Sequence, residues 1–379
     1  MKIAIVHDYF IQMGGAEKVA DELHALFPEA DLVTTVDIYD RPGVITSWMQ
    51  HLPITKRNHR FFFLLFPLAV ESLDLTGYDL IISSTSGYAK GIRKRADAVH
   101  ICYCHTPMRW VWRYDAYAER ESFGSIARIL LPGLLSLLKR WDLRAAARPD
   151  YYIANSHVVA DRIRRFYKRD SAVIPPPIDV ERFSIAESAE DYFLVLSRLA
   201  PYKRLDLAIE ACKELDRRLI VIGDGPARSG LEKIAGPKTE FLGRVSDELA
   251  AEYAARCQAL IFPGEEDFGM TPLEINAAGR PVIALNAGGA TETVIDGRTG
   301  VFFGDQSVES LMDAIKRFDH ITWDPAELRA HACSFGIDVF RSAITNFVQF
   351  ALSVSPQKEP GAAASPTPAK RAARTALWT

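Results

Sequence analysis

The sequence predicts an α/β protein of two parallel-sheet domains with a cleft between them. Three observations carry that expectation. Short continuous apolar runs, from Ile3-Ala-Ile-Val6 onward, alternate with amphipathic stretches, as parallel strands covered by helices on both faces do. The alternation breaks at Pro175-Pro176-Pro177 and then restarts; consecutive prolines fit neither a helix interior nor a central strand. The chain has 379 residues, enough for two or three domains at about 150 residues each.

In the first series, strands are expected at Ile3–Val6, Leu32–Val36, Leu80–Ser83, Val99–Cys102 and Tyr151–Ala154, with a helix from about Ala16 to Leu26. In the second, strands are expected at Phe193–Leu196, Leu219–Ile222, Phe241-Leu242, Leu260–Phe262 and Val282–Leu285, with helices near 204–215, 226–235, 246–255 and 271–279. The division is then residues 1–175, residues 188–325, C-terminal helices over 326–355 that pack back toward the first domain, and a tail over 356–379. The tail holds four prolines, seven alanines and four basic residues, a composition that predicts disorder.

Composition narrows the function. Hydrophobic residues make up 48% and charged residues 25%, with a net charge of −3. That balance belongs to a soluble globular protein and gives no support to a general nucleic-acid binder. Residues 1–180 carry 23 basic and 20 acidic side chains, while the remainder is acidic. Five scattered cysteines fit a reducing compartment. Cys102 and Cys104 lack a second pair at zinc spacing, so no metal site is expected. The first apolar run, Ile3–Val6, is well short of a signal-peptide core, and no run reaches the length of a membrane span, which predicts a cytoplasmic chain. Two shorter runs, Phe61–Val70 behind the basic Lys56–Arg60 and Ile129–Leu138 before Lys139-Arg140, fit either core packing or a peripheral contact with an anionic membrane face.

The candidate chemistry lies at predicted strand ends. Gly14-Gly15 follows the first strand and opens a helix, so backbone amides can approach a ligand there. Arg198 and Lys203 follow the strand Phe193–Leu196, where open α/β sheets bind ligands; two cations there suit a diphosphate. Gly223-Asp224-Gly225-Pro226 matches no phosphate-binding motif and reads as a turn.

The densest run is Gly264-Glu265-Glu266-Asp267-Phe268-Gly269-Met270-Thr271-Pro272-Leu273-Glu274. The Thr271–Glu274 spacing predicts a capping box with the helix beginning there. Three adjacent acids would repel a phosphate, so some should face sugar hydroxyls or solvent. Gly288-Gly289 forms another loop between a strand and a helix. His105 ends a first-domain strand, as a cleft residue or a structural histidine, and Arg109, Trp110 and Trp112 after it would line an acceptor pocket or simply pack.

These residues resemble the family-4 retaining glycosyltransferases of the GT-B fold, over residues 1 to about 350. The most specific part is Glu266 and Glu274, separated by seven residues around Phe268-Gly269; Gly14-Gly15, His105, Arg198, Lys203 and Gly288-Gly289 fit in order. His105-Thr-Pro-Met-Arg109 and Glu266-Asp-Phe-Gly269 are similar to bacterial mannosyltransferases of O-antigen and exopolysaccharide assembly. Thr271-Pro272 departs from the apolar residue that many relatives carry before the proline.

The resemblance implies two Rossmann-like domains with parallel sheets facing each other across a cleft. The donor would be a nucleotide sugar, GDP-mannose first and a UDP-sugar second. The acceptor would be a saccharide or a polyprenyl-diphosphate-linked one. It also implies roles: Gly14 and Gly15 near the phosphates, Arg198 and Lys203 on the diphosphate, Glu266 on the donor sugar. Phe268, Gly269, Met270 and Thr271 would meet phosphate and sugar through their backbone, Glu274 would hold the ribose, and His105 would face the reacting centre. No Asp-x-Asp occurs in the sequence, so neither a metal nor another cofactor is expected. A catalytically silent nucleotide-sugar scaffold is the alternative from another class.

Overall fold

The computed structural model describes residues 1–12, 14–52, 62–112 and 125–354. Met13, Lys56–Arg60, Phe61, Arg113 and the predicted tail lie outside the described residues.

The first sheet holds β1 (Ile3–His7), β2 (Asp31–Thr34), β3 (Ile45–Thr46), β4 (Leu80–Thr85), β5 (Val99–Cys104), β6 (Tyr151–Ala154) and β7 (Ala172–Val173), in the order β3-β2-β1-β4-β5-β6-β7. The second holds β8 (Phe193–Leu196), β9 (Leu219–Ile222), β10 (Thr239–Gly243), β11 (Ala259–Phe262), β12 (Val282–Leu285) and β13 (Gly300–Phe303), in the order β10-β9-β8-β11-β12-β13. Every pairing between these strands is parallel. The chain order reverses at β1/β4 in one sheet and at β8/β11 in the other. At such a switch point neighbouring loops splay apart above the strand ends and leave a crevice.

Three strands escape the sequence pattern. β3 and β7 have two residues each at sheet edges, with Ile45 exposed and Ala172 and Val173 half-buried, so they give no run of apolar residues to read. β13 pairs with β12 from Val282↔Gly300 to Leu285↔Phe303, and its Val301 and Phe303 are buried; its run is short and directly follows the turn at Gly297.

Helices cover both faces. α1 (Gly15–Leu26) buries Val19, Ala20 and Leu23. α2 (Ser125–Ala146) contains the whole of the apolar run Ile129–Leu138, and its Leu135, Leu138, Trp141 and Ala145 enter the first core. α2 is also pinned by a buried ion pair, Lys90 Nζ to Asp142 Oδ1 at 2.6 Å. Burial works against the Lys90 charge, but Asp142 more than offsets it and raises its pKa. Phe66, Pro67, Ala69 and Val70 of the other run are buried as well. Further along are α3 (His157–Tyr167), α4 (Leu205–Glu214), α5 (Met270–Ala277), α6 (Val308–Phe318), α7 (Pro325–Cys333) and α8 (Ile337–Val354).

The last two helices part company at Gly336. α7 stays on the second domain against α5. α8 crosses to the first sheet, where Phe340, Ile344, Val348 and Ala351 share a core with Ile3, Ile5 and Tyr103. Their spacing makes one helical stripe, and full burial of the three larger side chains contributes about 1.5–3 kcal/mol each.

Candidate active site

The first-domain wall is built from the ends of β1, β4 and β5. Parallel register sets His7 opposite Ser84, and His105 follows β5, its amide bonded to the Thr85 carbonyl at 2.9 Å. Their side chains form a row: His105 Nε2 lies 2.8 Å from Ser84 Oγ, which lies 3.1 Å from His7 Nδ1. Burial lowers both histidines, His105 to about 3. Both rings are therefore neutral at physiological pH. A neutral ring carries one N–H, and the single Ser84 proton couples which nitrogen of each ring bears it.

Two carboxylates hold this wall still. Buried Asp8 accepts hydrogen bonds from the amides of Ser86, Tyr88 and Ala89 at 2.6–2.8 Å and from the Thr85 hydroxyl. Glu17 accepts from the Ile11 and Gln12 amides at 2.8 and 2.9 Å, which fixes the approach to Gly14 and Gly15. A Cβ on Gly15 would lie 2.9 Å from Met270 Sδ, so this loop closely approaches the second domain.

The second-domain wall is charged. Arg198 is exposed after β8, and its Nη1 lies 3.5 Å from Gln12 Oε1 across the cleft. Lys203 pairs directly with Glu266. Gly289 shapes the acid loop: its amide bonds to the Glu266 carbonyl at 2.8 Å, and a Cβ there would overlap the Phe268 backbone at 2.2 Å.

Several expectations are corrected here. α5 begins at Met270, one residue before the predicted capping box, with Gly269 as its N-cap at φ 91°. A left-handed glycine makes the break, so Thr271 lies inside the first turn and no side chain caps the helix. The first-turn amides of Met270 and Thr271 are thus left open. Glu274 is no capping partner either. Its carboxylate has no hydrogen bond or ion pair among the described residues, and burial raises its pKa.

Each of the three acids meets a cation. Glu266 meets Lys203, Glu265 meets Arg162, and Asp267 is held by Arg109 and Arg162. Arg109 thus reaches the second domain. Trp110 packs edge-on against Phe63 at 5.2 Å, and Trp112 stacks on Phe166 at 4.8 Å while donating Nε1–H to Asp142; both belong to first-domain packing. Cys102 and Cys104 are free buried thiols, Cys102 pushed up to about 12 by burial.

Two doubly wound parallel sheets with their switch points turned to one cleft define a GT-B fold. Comparison with known proteins agrees. Residues 13–182 match the family described as Glycosyltransferase Family 4, and residues 178–332 the one described as Glycosyl transferases group 1. An uncharacterised glycosyltransferase of Methanocaldococcus jannaschii is 24% identical over 83% of this chain and 87% of its own. The GDP-mannose-dependent alpha-(1-6)-phosphatidylinositol monomannoside mannosyltransferase of Mycobacterium tuberculosis is 34% identical over 38% of this chain, but the match spans only 45% of that protein. The structure of Anabaena HepE in complex with UDP and glucose superposes with a TM-score of 0.69 at 18% identity, over 92% of this chain and 99% of that one. The fold is GT-B, and the family matches support glycosyltransferase activity.

Proposed function

We propose that the chain is a retaining hexosyltransferase that moves mannose from GDP-mannose onto a saccharide or polyprenyl-diphosphate-linked acceptor in cell-surface polysaccharide synthesis, without a divalent metal. The observation that carries this reading is the set of groups at the β8 and β11 ends: Lys203 paired with Glu266, Arg198 exposed beside them, and the uncapped start of α5. Diphosphate is a dianion or more, and cations plus open helix amides meet it. The Lys203–Glu266 pair then opens, Lys203 turning to phosphate and Glu266 to sugar hydroxyls.

Charge grows on the diphosphate as the glycosidic bond breaks, and fixed cations favour that state over the bound donor. The acceptor hydroxyl oxygen bonds to the anomeric carbon on the face the diphosphate leaves, and the departing diphosphate takes its proton. Neutral His105 hydrogen-bonds the reacting sugar without adding a charge, and the unpaired Glu274 accepts the ribose hydroxyls.

A thermal-shift screen of GDP-mannose, UDP-glucose, UDP-galactose and UDP-N-acetylglucosamine tests the donor, because a ligand of the folded state raises the melting temperature by mass action. GDP-mannose should stand out and be slowly hydrolysed. A larger shift with a UDP-sugar would replace mannose, and binding without hydrolysis or transfer would favour a silent scaffold.

The same reading places the chain on the cytoplasmic face of the inner membrane. Among the described residues no helix is long and apolar enough to cross a membrane. Leu64, Leu68, Leu137 and Leu143 are exposed, and α2 carries Lys139, Arg140 and Arg144 close in sequence to the last two. Each basic residue near an anionic surface contributes about 1 kcal/mol. Flotation with anionic liposomes should carry the protein upward at low salt and not at high salt; no flotation at low salt would refute the contact.

A further inference from the structure

The acid run splits by side. Glu266 turns to Lys203 within its own domain, whereas the carboxylates on either side of it turn to the first domain. Both oxygens of Asp267 are taken: Arg109 Nε lies 3.0 Å from Oδ2, joined there by Arg109 Nη2, and Arg162 Nη1 holds Oδ1. Arg162 Nη2 lies 3.2 Å from Glu265 Oε1. The Asp267 side chain is only 12% exposed. Burial alone would raise its pKa, but the two guanidinium groups hold it below the usual carboxylate range.

The contact continues through the start of α3. Ser156 Oγ donates to the Asp267 carbonyl at 2.7 Å. The first-turn amides of His157 and Val158 donate to the Glu292 carboxylate at 2.8 and 3.0 Å. Glu292 follows Gly289, whose amide holds the Glu266 carbonyl. One first-domain helix thus grips both loops that frame Glu266.

We propose that Asp267 is a positioning residue: its capture by Arg109 and Arg162 couples closure of the two domains to the placement of Glu266 and Phe268 at the donor. With the domains apart, Asp267 loses both cations and its loop loses the Ser156 and α3 anchors. Glu266 is then free to follow Lys203 instead of being aimed by the residues on either side of it. Arg109 acts in this latch rather than on the acceptor. The inference rests on the transferase reading for its kinetic consequence, while the latch itself stands on the contacts of Asp267 alone.

The test uses the full chain and the variants Asp267→Asn, Arg162→Gln and the double variant, each checked by circular dichroism. Small-angle scattering without donor should give a larger radius of gyration for all three than for wild type. With GDP-mannose, turnover should fall by about tenfold to a hundredfold, the scale of a misplaced catalytic contact, while GDP affinity by calorimetry stays near wild type. The double variant should be no worse than Asp267→Asn, because both substitutions break one network. Wild-type scattering and turnover in Asp267→Asn and Arg162→Gln would overturn the proposal, and so would additive losses in the double variant. Should Asp267→Asn fail to fold, Arg162→Gln keeps Asp267 and Arg109 and decides alone. A wild-type chain that turns over no donor would defeat the transferase reading and leave the scattering test of the latch intact.

Discussion

At the carboxyl edge of the first sheet, His7, Ser84 and His105 form a neutral hydrogen-bonded row, and Asp8 is saturated by three backbone amides and a hydroxyl. At the matching edge of the second sheet, Lys203 and Glu266 pair with each other, Arg198 is exposed, and Glu274 has no partner among the described residues. The two sheets share a switch-point topology and differ in what their ends leave unsatisfied. The first wall is a finished hydrogen-bond network that holds a shape. The second keeps charged donors and acceptors open to exchange, which a ligand of mixed phosphate and hydroxyl chemistry requires.

The sharpest way to break this contrast is to remove the second wall's cations. Lys203→Ala and Arg198→Ala should each lower turnover on the order of 10²-fold, as loss of one group stabilising a developing anion does. Lys203→Ala has an added cost, since it leaves the Glu266 carboxylate unpaired beside the phosphates. Lys203→Ala with Glu266→Gln should therefore bind GDP more tightly than Lys203→Ala alone, measured by calorimetry.

The first wall should respond more mildly. Ser84→Ala uncouples the two rings without adding charge, so steady-state turnover should drop by less than the ~10²-fold of a full misplacement. Its pH signature lies in stability. A histidine whose folded pKa is depressed contributes full stability above its unfolded value near 6.5, and that contribution is lost as pH falls toward the folded value. His105, at about 3 when folded, should make the melting temperature decline from about pH 6.5 downward. His105→Gln should flatten that decline, and calorimetric scans across the range check it.

The smallest effect concerns Glu274. Its buried carboxyl has a raised pKa, so ionisation above the usual carboxylate range costs stability in the ligand-free chain. Glu274→Gln removes that cost. Its melting temperature at pH 7 should rise slightly while affinity for the donor falls, a trade expected where a binding group is left unpaired.

How far this could be read from the residues depends on how local each feature is. The runs Ile3–Val6 and Phe193–Leu196 carry their strand character in their own composition, and Gly14-Gly15, Arg198 and Glu266 stand right after such runs, so both walls were legible in outline. The His7–Ser84–His105 row was not, because it needs the strand order β1-β4-β5, which chain order does not give. The Asp267 latch joins residues 105 and 158 positions apart, and Arg162 sits in a helix rich in arginine with nothing to single it out. The start of α5 was misplaced because Thr271-Pro272 imitates a cap, while the deciding feature is the backbone of Gly269, invisible in residue type alone. Trp110 and Trp112 combine apolar and cationic neighbours as a pocket would, and their ring contacts pack them, half-buried, against the first-domain core.

The account's central claim is that the second wall binds a nucleotide sugar with its own cations. Calorimetric titration of GDP-mannose into wild type and Lys203→Ala, each with EDTA present, tests it most directly. The account predicts saturable binding to wild type that EDTA leaves unchanged and a large loss of affinity in Lys203→Ala. Binding to wild type that appears only after a divalent metal is restored, or equal affinity in both proteins, would contradict it.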